Sequence, residues 1–213
     1  MAITGQWQQQ DGRIERRDLD LTGLALLRAQ RIGDDRGWFR EVFSARRLEE
    51  IGIRAHFVQD NMSCSAAAGT LRGLHAQRPT MAQAKLVAVV EGAIFDVVVD
   101  CRKGSPTFGQ HRSFTLSAGG GEILYVPVGF CHGFLTLEPG TTVFYKVDNY
   151  YSAAHACAGT IPTSPSAGRS AERRRSFRKR TGRCRFSRIC RRCSQRTEGR
   201  GQRTEQAARL CAR

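Results

Sequence analysis

Between Leu24 and Val147 the chain is divided into short apolar runs of strand length, bounded by glycine or proline. Within these runs β-branched and aromatic residues dominate, as in Val87-Ala88-Val89-Val90 and between Ile94 and Val99. The pattern predicts eight strands, at 24–32, 56–63, 86–90, 94–100, 111–116, 123–127, 132–137 and 142–147. Many short strands with turn signals between them indicate a β-sandwich or barrel, and we expect a jelly roll.

A short helix is expected near residue 45. Ser44 is a suitable N-cap, Leu48 and Ile51 form an apolar edge, and Gly52 stands where helices commonly end. The predicted fold class is therefore all-β, a jelly-roll barrel with one or two short helices.

The charge divides the chain into two parts. The formal net charge is +15, but residues 158–213 contain 16 Arg, one Lys and three Glu, whereas residues 1–157 are nearly neutral. We therefore predict a folded domain over 1–157, followed by an Arg-rich tail that is disordered or poorly packed. There is no apolar run of membrane-spanning length and no secretory signal, so a cytoplasmic protein is expected.

The cysteines divide in the same way. Four lie in the first part and are predicted to be reduced core thiols, namely Cys64, Cys101, Cys131 and Cys157. In the tail, Cys190 and Cys193 form a C-x-x-C pair, but no second pair stands at zinc-ribbon or zinc-finger spacing. This pair is weak evidence for a zinc site.

Two segments contain histidines in a distinctive setting. Gly69 precedes His75, and Pro127 and Gly129 precede His132, so that the two segments resemble the two half-motifs of the cupin superfamily of small jelly-roll barrels. Gln77 stands where metal-binding cupins have a second histidine, and Gln83 lies near the position of their glutamate. Carboxamides bind divalent transition metals poorly, so a metal-free cupin is expected.

A set of longer motifs narrows this resemblance. They are DDRGWFREVF (34–43), FVQDNMSCS (57–65), RGLH (72–75), QAKLV (83–87), DVVVDCR (96–102), SPTFG (105–109) and VFYK (143–146). In this order, over roughly residues 20–155, they resemble the dTDP-4-dehydrorhamnose 3,5-epimerase family. The resemblance implies an isomerase of deoxysugar (rhamnose) biosynthesis that works without a cofactor or metal. It would epimerise dTDP-4-dehydro-6-deoxy-D-glucose at carbons 3 and/or 5, giving dTDP-4-dehydro-L-rhamnose.

The resemblance also implies roles for individual residues. His75 matches the family's base, Lys85 the residue that faces the oxygen on carbon 4, and Tyr145 the proton donor. Arg36 and Arg72 match the diphosphate contacts. The remaining expected substrate contacts are Gln59, Asn61 and His132 for sugar or phosphate, and Phe39, Glu41 and Tyr150 for the nucleoside. A homodimer with exchanged N-terminal strands is expected.

After Tyr150-Tyr151-Ser152 the family pattern is absent. Family members continue with D-D-P-x-L-x-I-x-W-P and later L-S-x-K-D, whereas this chain reads GTIPTSPSAGR at 159–169. Reading the underlying codons one frame away permits both patterns, the second over 176–181. We therefore expect the sequence from about Cys157 onward to be translated out of frame. Thr181 then replaces the aspartate that pairs with the family's base, which predicts weak or no activity.

Two alternatives remain at this stage. A metal-dependent cupin enzyme could use His75 and His132, although Gln77 argues against it. A non-enzymatic protein could bind nucleic acid or a membrane surface through its Arg-rich tail. We expect neither a specific nucleic-acid partner nor a membrane partner.

Overall fold

A computed structural model of the chain describes residues 6–9 and 13–158. The predicted Arg-rich tail begins at the last of these residues. Beyond Ala158, the tail, its C-x-x-C pair, Thr181 and the sequence expected to be out of frame therefore lie outside the described residues.

The described part of the chain consists mainly of β-strands. The strands are β1 (Gln8–Gln9), β2 (Ile14–Asp18), β3 (Ala25–Ala29), β4 (Ile32–Asp34), β5 (Gly37–Phe39), β6 (Gln59–Ser65), β7 (Leu71–Gln77), β8 (Lys85–Glu91), β9 (Ala93–Asp100), β10 (His111–Ser117), β11 (Glu122–Val126), β12 (Phe130–Thr136), β13 (Thr141–Val147) and β14 (Ala156–Ala158). One helix, α1 (Ala45–Glu50), lies between β5 and β6. No helix in the described ranges could cross a membrane.

The strands form two large antiparallel sheets and one separate hairpin. One sheet has the order β1-β2-β3-β11-β8-β13-β6, the other has the order β10-β9-β12-β7-β14, and β4 pairs with β5 in the separate hairpin. From β6 to β14 successive strands alternate between the two large sheets, except for the β9–β10 hairpin. This alternation is the jelly-roll arrangement, and it confirms the predicted all-β fold class.

The two large sheets pack face to face. Leu26, Val87 and Leu124 from the seven-stranded sheet share one buried cluster with Ile94 and Phe134 from the five-stranded sheet. A second buried cluster covers the outer face of the seven-stranded sheet, where α1 contributes Leu48. The period of two along each strand therefore decides which side chains enter the barrel.

All eight predicted strand regions contain strands, with ends displaced by a few residues. The predicted strand at 24–32 is divided, because Ile32 is half exposed and belongs to the separate β4–β5 hairpin. β2 and β7 were not predicted as strands, since charged residues or Gly73 interrupt their apolar pattern. The helix prediction is confirmed: the Ser44 hydroxyl accepts a hydrogen bond from the Arg47 amide.

The cysteine prediction is confirmed in part. Cys131 and Cys157 are buried and Cys101 is half-buried, and no disulfide joins the described cysteines. Cys64 is exposed, so its assignment to the core was wrong. It lies on β6, an edge strand, where inward- and outward-facing side chains alternate. Cys64 is one of the outward-facing residues.

A buried carboxylate organises the loop after β9. The Asp100 Oδ1 atom accepts hydrogen bonds from the Arg102 amide (2.9 Å) and Nε (3.0 Å), and Oδ2 accepts from the hydroxyls of Ser105 (2.7 Å) and Thr107 (2.6 Å). Burial alone would raise the pKa of Asp100, but the hydrogen bonds from these residues lower the pKa from 3.8 to about 2. The carboxylate therefore stabilises the fold in its charged form.

We predict that Asp100→Asn lowers the free energy of unfolding by about 1–2 kcal/mol near neutral pH. The folded-state pKa lies below the unfolded value, so this contribution is complete above pH 3.8 and is lost as the pH falls toward 2. Urea unfolding at neutral and acidic pH measures the difference. Asp35→Asn, at an exposed position of the β4–β5 turn, is the control. An equal loss in both variants would contradict the prediction.

Candidate active site

A cavity of about 780 Å³ lies between the two large sheets. Seven of the eleven predicted site residues line it, and together they provide two imidazoles, an ammonium, a guanidinium, a phenol and two carboxamides. These residues are Gln59, Asn61, Arg72, His75, Lys85, His132 and Tyr145. Strands distant in sequence thus bring most of the predicted set together.

The seven-stranded sheet supplies one wall of the cavity. On β6, Gln59 and Asn61 face inward and alternate with exposed residues. Asn61 lies opposite Tyr145 on β13, and Val147 of β13 lies between Gln59 on one side and Lys85 on the other. The Gln59 amide donates a 2.8 Å hydrogen bond to Asn61 Oδ1, which fixes both carboxamides. Polar residues therefore replace apolar ones at this end of an otherwise apolar wall.

The five-stranded sheet supplies the opposite wall. His75 on β7 is paired with His132 on β12, and the centroids of the two rings are 6.0 Å apart. The pairing of these strands shifts register after His132, next to Gly73. A Cβ atom at Gly73 would lie only 2.7 Å from both Gly133 Cα and the His132 carbonyl oxygen, and the φ of Gly73 is +107°. Glycine is therefore required for the close approach that places His75.

His132 is held by a buried carboxylate that the sequence analysis missed. Its Nε2 atom lies 2.7 Å from Asp96 Oδ2, and both side chains are buried. Asp96 could have been found from the alternation of β9, because Ile94, Asp96 and Val98 share the inward phase. An acid at a core position of an apolar strand indicates a buried partner.

His75 is suited to accept a proton. Burial lowers the pKa of His75 well below 6.5, and electrostatic interactions with Lys85 and then with His132 lower this pKa further. The imidazole is therefore neutral near pH 7. Within the described ranges, no carboxylate or other hydrogen-bond acceptor contacts its ring, so nothing there orients it as Asp96 orients His132.

Lys85 and Tyr145 keep their protons near neutral pH. Lys85 is only 5 % exposed, and burial lowers its pKa to about 8 against the opposing effects of Cys131, Asp96 and Cys157. Burial raises the pKa of Tyr145, and Arg72 opposes this rise. The cavity therefore presents a base on one wall, with a buried cation and a proton donor on the other.

Gln77 and Gln83, which stand near the metal-ligand positions of other cupins, are engaged in hydrogen bonds. The Gln77 amide donates to the carbonyls of Met81 (2.7 Å) and Tyr150 (3.0 Å), and its oxygen accepts from the Ser152 amide. Gln83 donates to the Asn149 carbonyl at 2.7 Å. Both carboxamides thus hold the segment after β13. Among residues 6–9 and 13–158, no three ligating side chains are grouped to hold a metal.

Hydrogen bonds to β6 hold the Arg72 side chain in position. Its Nε donates to the Ser65 hydroxyl at 3.1 Å, and its Nη2 donates to the Cys64 carbonyl at 3.2 Å. These contacts anchor the guanidinium to β6 while the residue lines the cavity. Arg72 is therefore the described arginine best placed to meet an anionic group there.

Four predicted site residues do not line this cavity. Arg36 is exposed and pairs with Asp34, Phe39 is 65 % exposed, and Glu41 pairs with Arg47 at 2.6 Å. The first two of these residues lie on the β4–β5 hairpin, and Glu41 follows it. Tyr150 is 61 % exposed and does not line the cavity, whereas its neighbour Tyr151 does. The roles of these four residues stay predictions.

The alternating jelly-roll strands and the two histidine segments that meet on one wall define a barrel protein of the cupin class. Comparisons with known proteins then specify the family. Residues 18–167 match the dTDP-4-dehydrorhamnose 3,5-epimerase family. The chain belongs to this family, whose members are isomerases. The match ends at residue 167, so most of the Arg-rich tail lies outside it.

Individual relatives agree with this assignment. A dTDP-4-dehydrorhamnose 3,5-epimerase from Sinorhizobium fredii is 47 % identical over 137 residues, covering 64 % of this chain and 70 % of the relative. The crystal structure of the Bacillus anthracis enzyme with TDP and PPi bound is 50 % identical (TM-score 0.68), covering 69 % of this chain and 84 % of that one. A Legionella pneumophila 3,5-epimerase in complex with dTDP-4-keto-L-rhamnose is 40 % identical (TM-score 0.67), covering 70 % and 79 %.

We predict that Lys85→Met raises the free energy of unfolding at neutral pH while removing activity. Lowering the pKa of Lys85 from 10.5 to about 8 corresponds to a cost of about 3 kcal/mol for burying the ammonium group. Because the folded-state pKa is the lower one, this cost is complete below pH 8 and disappears as the pH rises toward 10.5.

Urea unfolding measures this gain, which we expect to be about 1–3 kcal/mol near pH 7 and smaller near pH 10. Lys103→Met, at an exposed position, is the matched control and should change stability by less than about 0.5 kcal/mol. A loss of stability in Lys85→Met would contradict the prediction.

Proposed function

We propose that this chain epimerises dTDP-4-dehydro-6-deoxy-D-glucose at carbons 3 and/or 5 to give dTDP-4-dehydro-L-rhamnose, a reaction of rhamnose biosynthesis. The relatives whose names state this activity support the proposal. The observation that carries it is the placement of a neutral imidazole and a protonated phenol on opposite walls of one cavity. Inversion at carbon needs these two groups on opposite faces of the sugar.

The reaction proceeds through an enolate. The ketone at carbon 4 acidifies the neighbouring hydrogens, and His75 removes one of them as a proton. The electron pair of the broken C–H bond moves onto the carbon 4 oxygen, where the Lys85 ammonium stabilises the negative charge. Tyr145 then donates its proton to the opposite face of the same carbon. Proton exchange with water restores His75 and Tyr145, and no electrons are transferred to or from the sugar.

Binding of the nucleotide requires charge and hydrogen bonds beyond the reacting groups. Arg72 is assigned to the diphosphate, because a guanidinium can contact two phosphate oxygens at once. Gln59, Asn61 and the His132–Asp96 pair are assigned to the sugar and phosphate groups. The fixed carboxamide pair and the buried His132–Asp96 hydrogen bond support these assignments, since both hold their polar atoms in place.

Arg36, Phe39, Glu41 and Tyr150 are assigned to the cavity of a second copy in a homodimer. The exposed β4–β5 hairpin supports this arrangement, because it forms a sheet of its own with Ile32, Trp38 and Phe39 at least half exposed. Aromatic side chains exposed on a projecting hairpin are suited to a partner surface. The homodimer and a cytoplasmic location stay predictions, as does the expected absence of specific nucleic-acid and membrane partners.

The turnover of this chain is proposed to be lower than that of its relatives. His75 has no orienting carboxylate in the described part of the chain, and Thr181 stands at the position expected for it. Loss of the carboxylate that orients a catalytic imidazole can reduce rates by orders of magnitude.

We predict that restoring the family reading frame after Cys157 raises turnover by at least about tenfold. In that restored protein, His75→Ala should lower turnover at least about a hundredfold, because the base is lost. NMR of the nucleotide sugar measures the conversion, and His111→Ala, on the exposed start of β10, is the control.

Each comparison can contradict the proposal separately. Equal turnover before and after frame restoration would overturn the account of the tail. Full turnover in His75→Ala would overturn the role of the base. If neither the present chain nor the frame-restored protein converts the nucleotide sugar, the proposed substrate is wrong.

A further inference from the structure

A second cavity lies outside the proposed active site. It has a volume of about 390 Å³, and its lining combines β2 and β3 with the flanks of the β4–β5 hairpin and the β10–β11 turn. Three arginines line it, namely Arg28, Arg31 and Arg40, together with Glu15 and the backbone at Gly119 and Gly120. None of the residues assigned to epimerisation lines this arginine cavity.

The positive charge of the arginine cavity is only partly balanced. Glu15 is engaged with Arg28, whose Nε and Nη2 lie 2.8 and 2.6 Å from Glu15 Oε2. Arg31 and Arg40 form no ion pair within the described ranges. Glu122 is the nearby acid that acts on Arg40, and its carboxylate lies beside Gly120. The three arginines and the two glutamates of this region therefore carry a net charge of +1.

Arg40 has a buried donor that no residue in the described part of the chain satisfies. Its Nε is buried and forms no hydrogen bond there, and its Nη1 makes a long 3.4 Å contact to the Gly121 carbonyl. The guanidinium fits there because Gly121 lacks a side chain, since a Cβ atom would overlap Nη1. A buried donor without an acceptor is costly, so the Arg40 guanidinium is short of hydrogen-bond partners among the described residues.

Arg31 and Arg40 converge on one aromatic ring. Their Cζ atoms lie 4.3 and 5.6 Å from the centroid of the Trp38 ring. Burial, and then the like charge of Arg31, lower the pKa of Arg40, while Glu122 opposes them. Two guanidiniums held at the same ring repel each other, and a multivalent anion that contacts both would relieve this repulsion.

We propose that the arginine cavity binds a phosphate group, as orthophosphate or as diphosphate. Guanidinium forks match the geometry of phosphate oxygens, and Gly119 has open space where a side chain would stand. Because Arg31 and Arg40 flank the β4–β5 hairpin, binding would fix the base of the hairpin that carries Arg36 and Phe39. The inference rests on this cavity alone and does not depend on the proposed epimerase activity.

The test follows the Nε–H signal of Arg40 in ¹H–¹⁵N spectra of the full chain during titration with sodium phosphate and with sodium diphosphate. The signal is identified by its loss in Arg40→Gln. We expect a saturable shift, with the tighter of the two anions identifying the ligand. The signal of Arg46, an exposed residue of α1, is the internal control. Because the signal reports one residue, the arginines of the tail do not obscure it.

The same titration is repeated with Arg31→Gln, a variant that keeps Arg40 and its signal. We expect it to weaken the anion-dependent shift at Arg40 by about tenfold in affinity. Arg54→Gln, which removes one exposed charge elsewhere, should leave the affinity within about twofold. No shift of the Arg40 signal with either anion, an equal shift at Arg46, or an unchanged affinity in Arg31→Gln would overturn the proposal.

Discussion

The close pairing of β7 with β12 is the constraint on which the proposed site depends. Gly73 has no side chain, and only for that reason can β7 approach the backbone at His132 and Gly133. The same contact places the rings of His75 and His132 6.0 Å apart on one wall, facing the wall that carries Lys85 and Tyr145. A side chain at Gly73 would move His75 relative to Tyr145, although Gly73 itself takes no part in the proposed reaction.

The site places charged groups in a barrel that is otherwise apolar. Lys85 and Asp96 are both buried, yet among the described residues Lys85 has no direct carboxylate partner, while Asp96 is paired with His132. Burial of Lys85 costs stability, and its positive charge helps keep His75 neutral. The cost is consistent with function, since an ammonium in a site with little water interacts more strongly with a developing enolate than one in solvent.

Much of the fold could be predicted from the sequence. Apolar side chains recur at every second position in the strands of both large sheets, because one face of each strand is buried. The alternation indicated the strands that carry Lys85, His132 and Tyr145, and it contained the signal for Asp96 as well. The β7 strand was missed because Gly73 and Arg72 break its apolar pattern. The positions of Arg36, Phe39 and Glu41 could not be predicted from one chain, since an exposed hairpin makes few contacts that fix it. The family motifs predict roles for these residues, but no pattern in the sequence could show where they lie relative to the cavity.

The central claim is that the base and the proton donor act from opposite walls of one cavity. Deuterium incorporation from D₂O at carbons 3 and 5, measured by NMR in the frame-restored Tyr145→Phe protein, tests it most directly. The account predicts that deuterium enters while the carbon keeps its original configuration, because His75 can remove and return a proton on its own face only. Inversion at the normal rate in Tyr145→Phe would contradict the account.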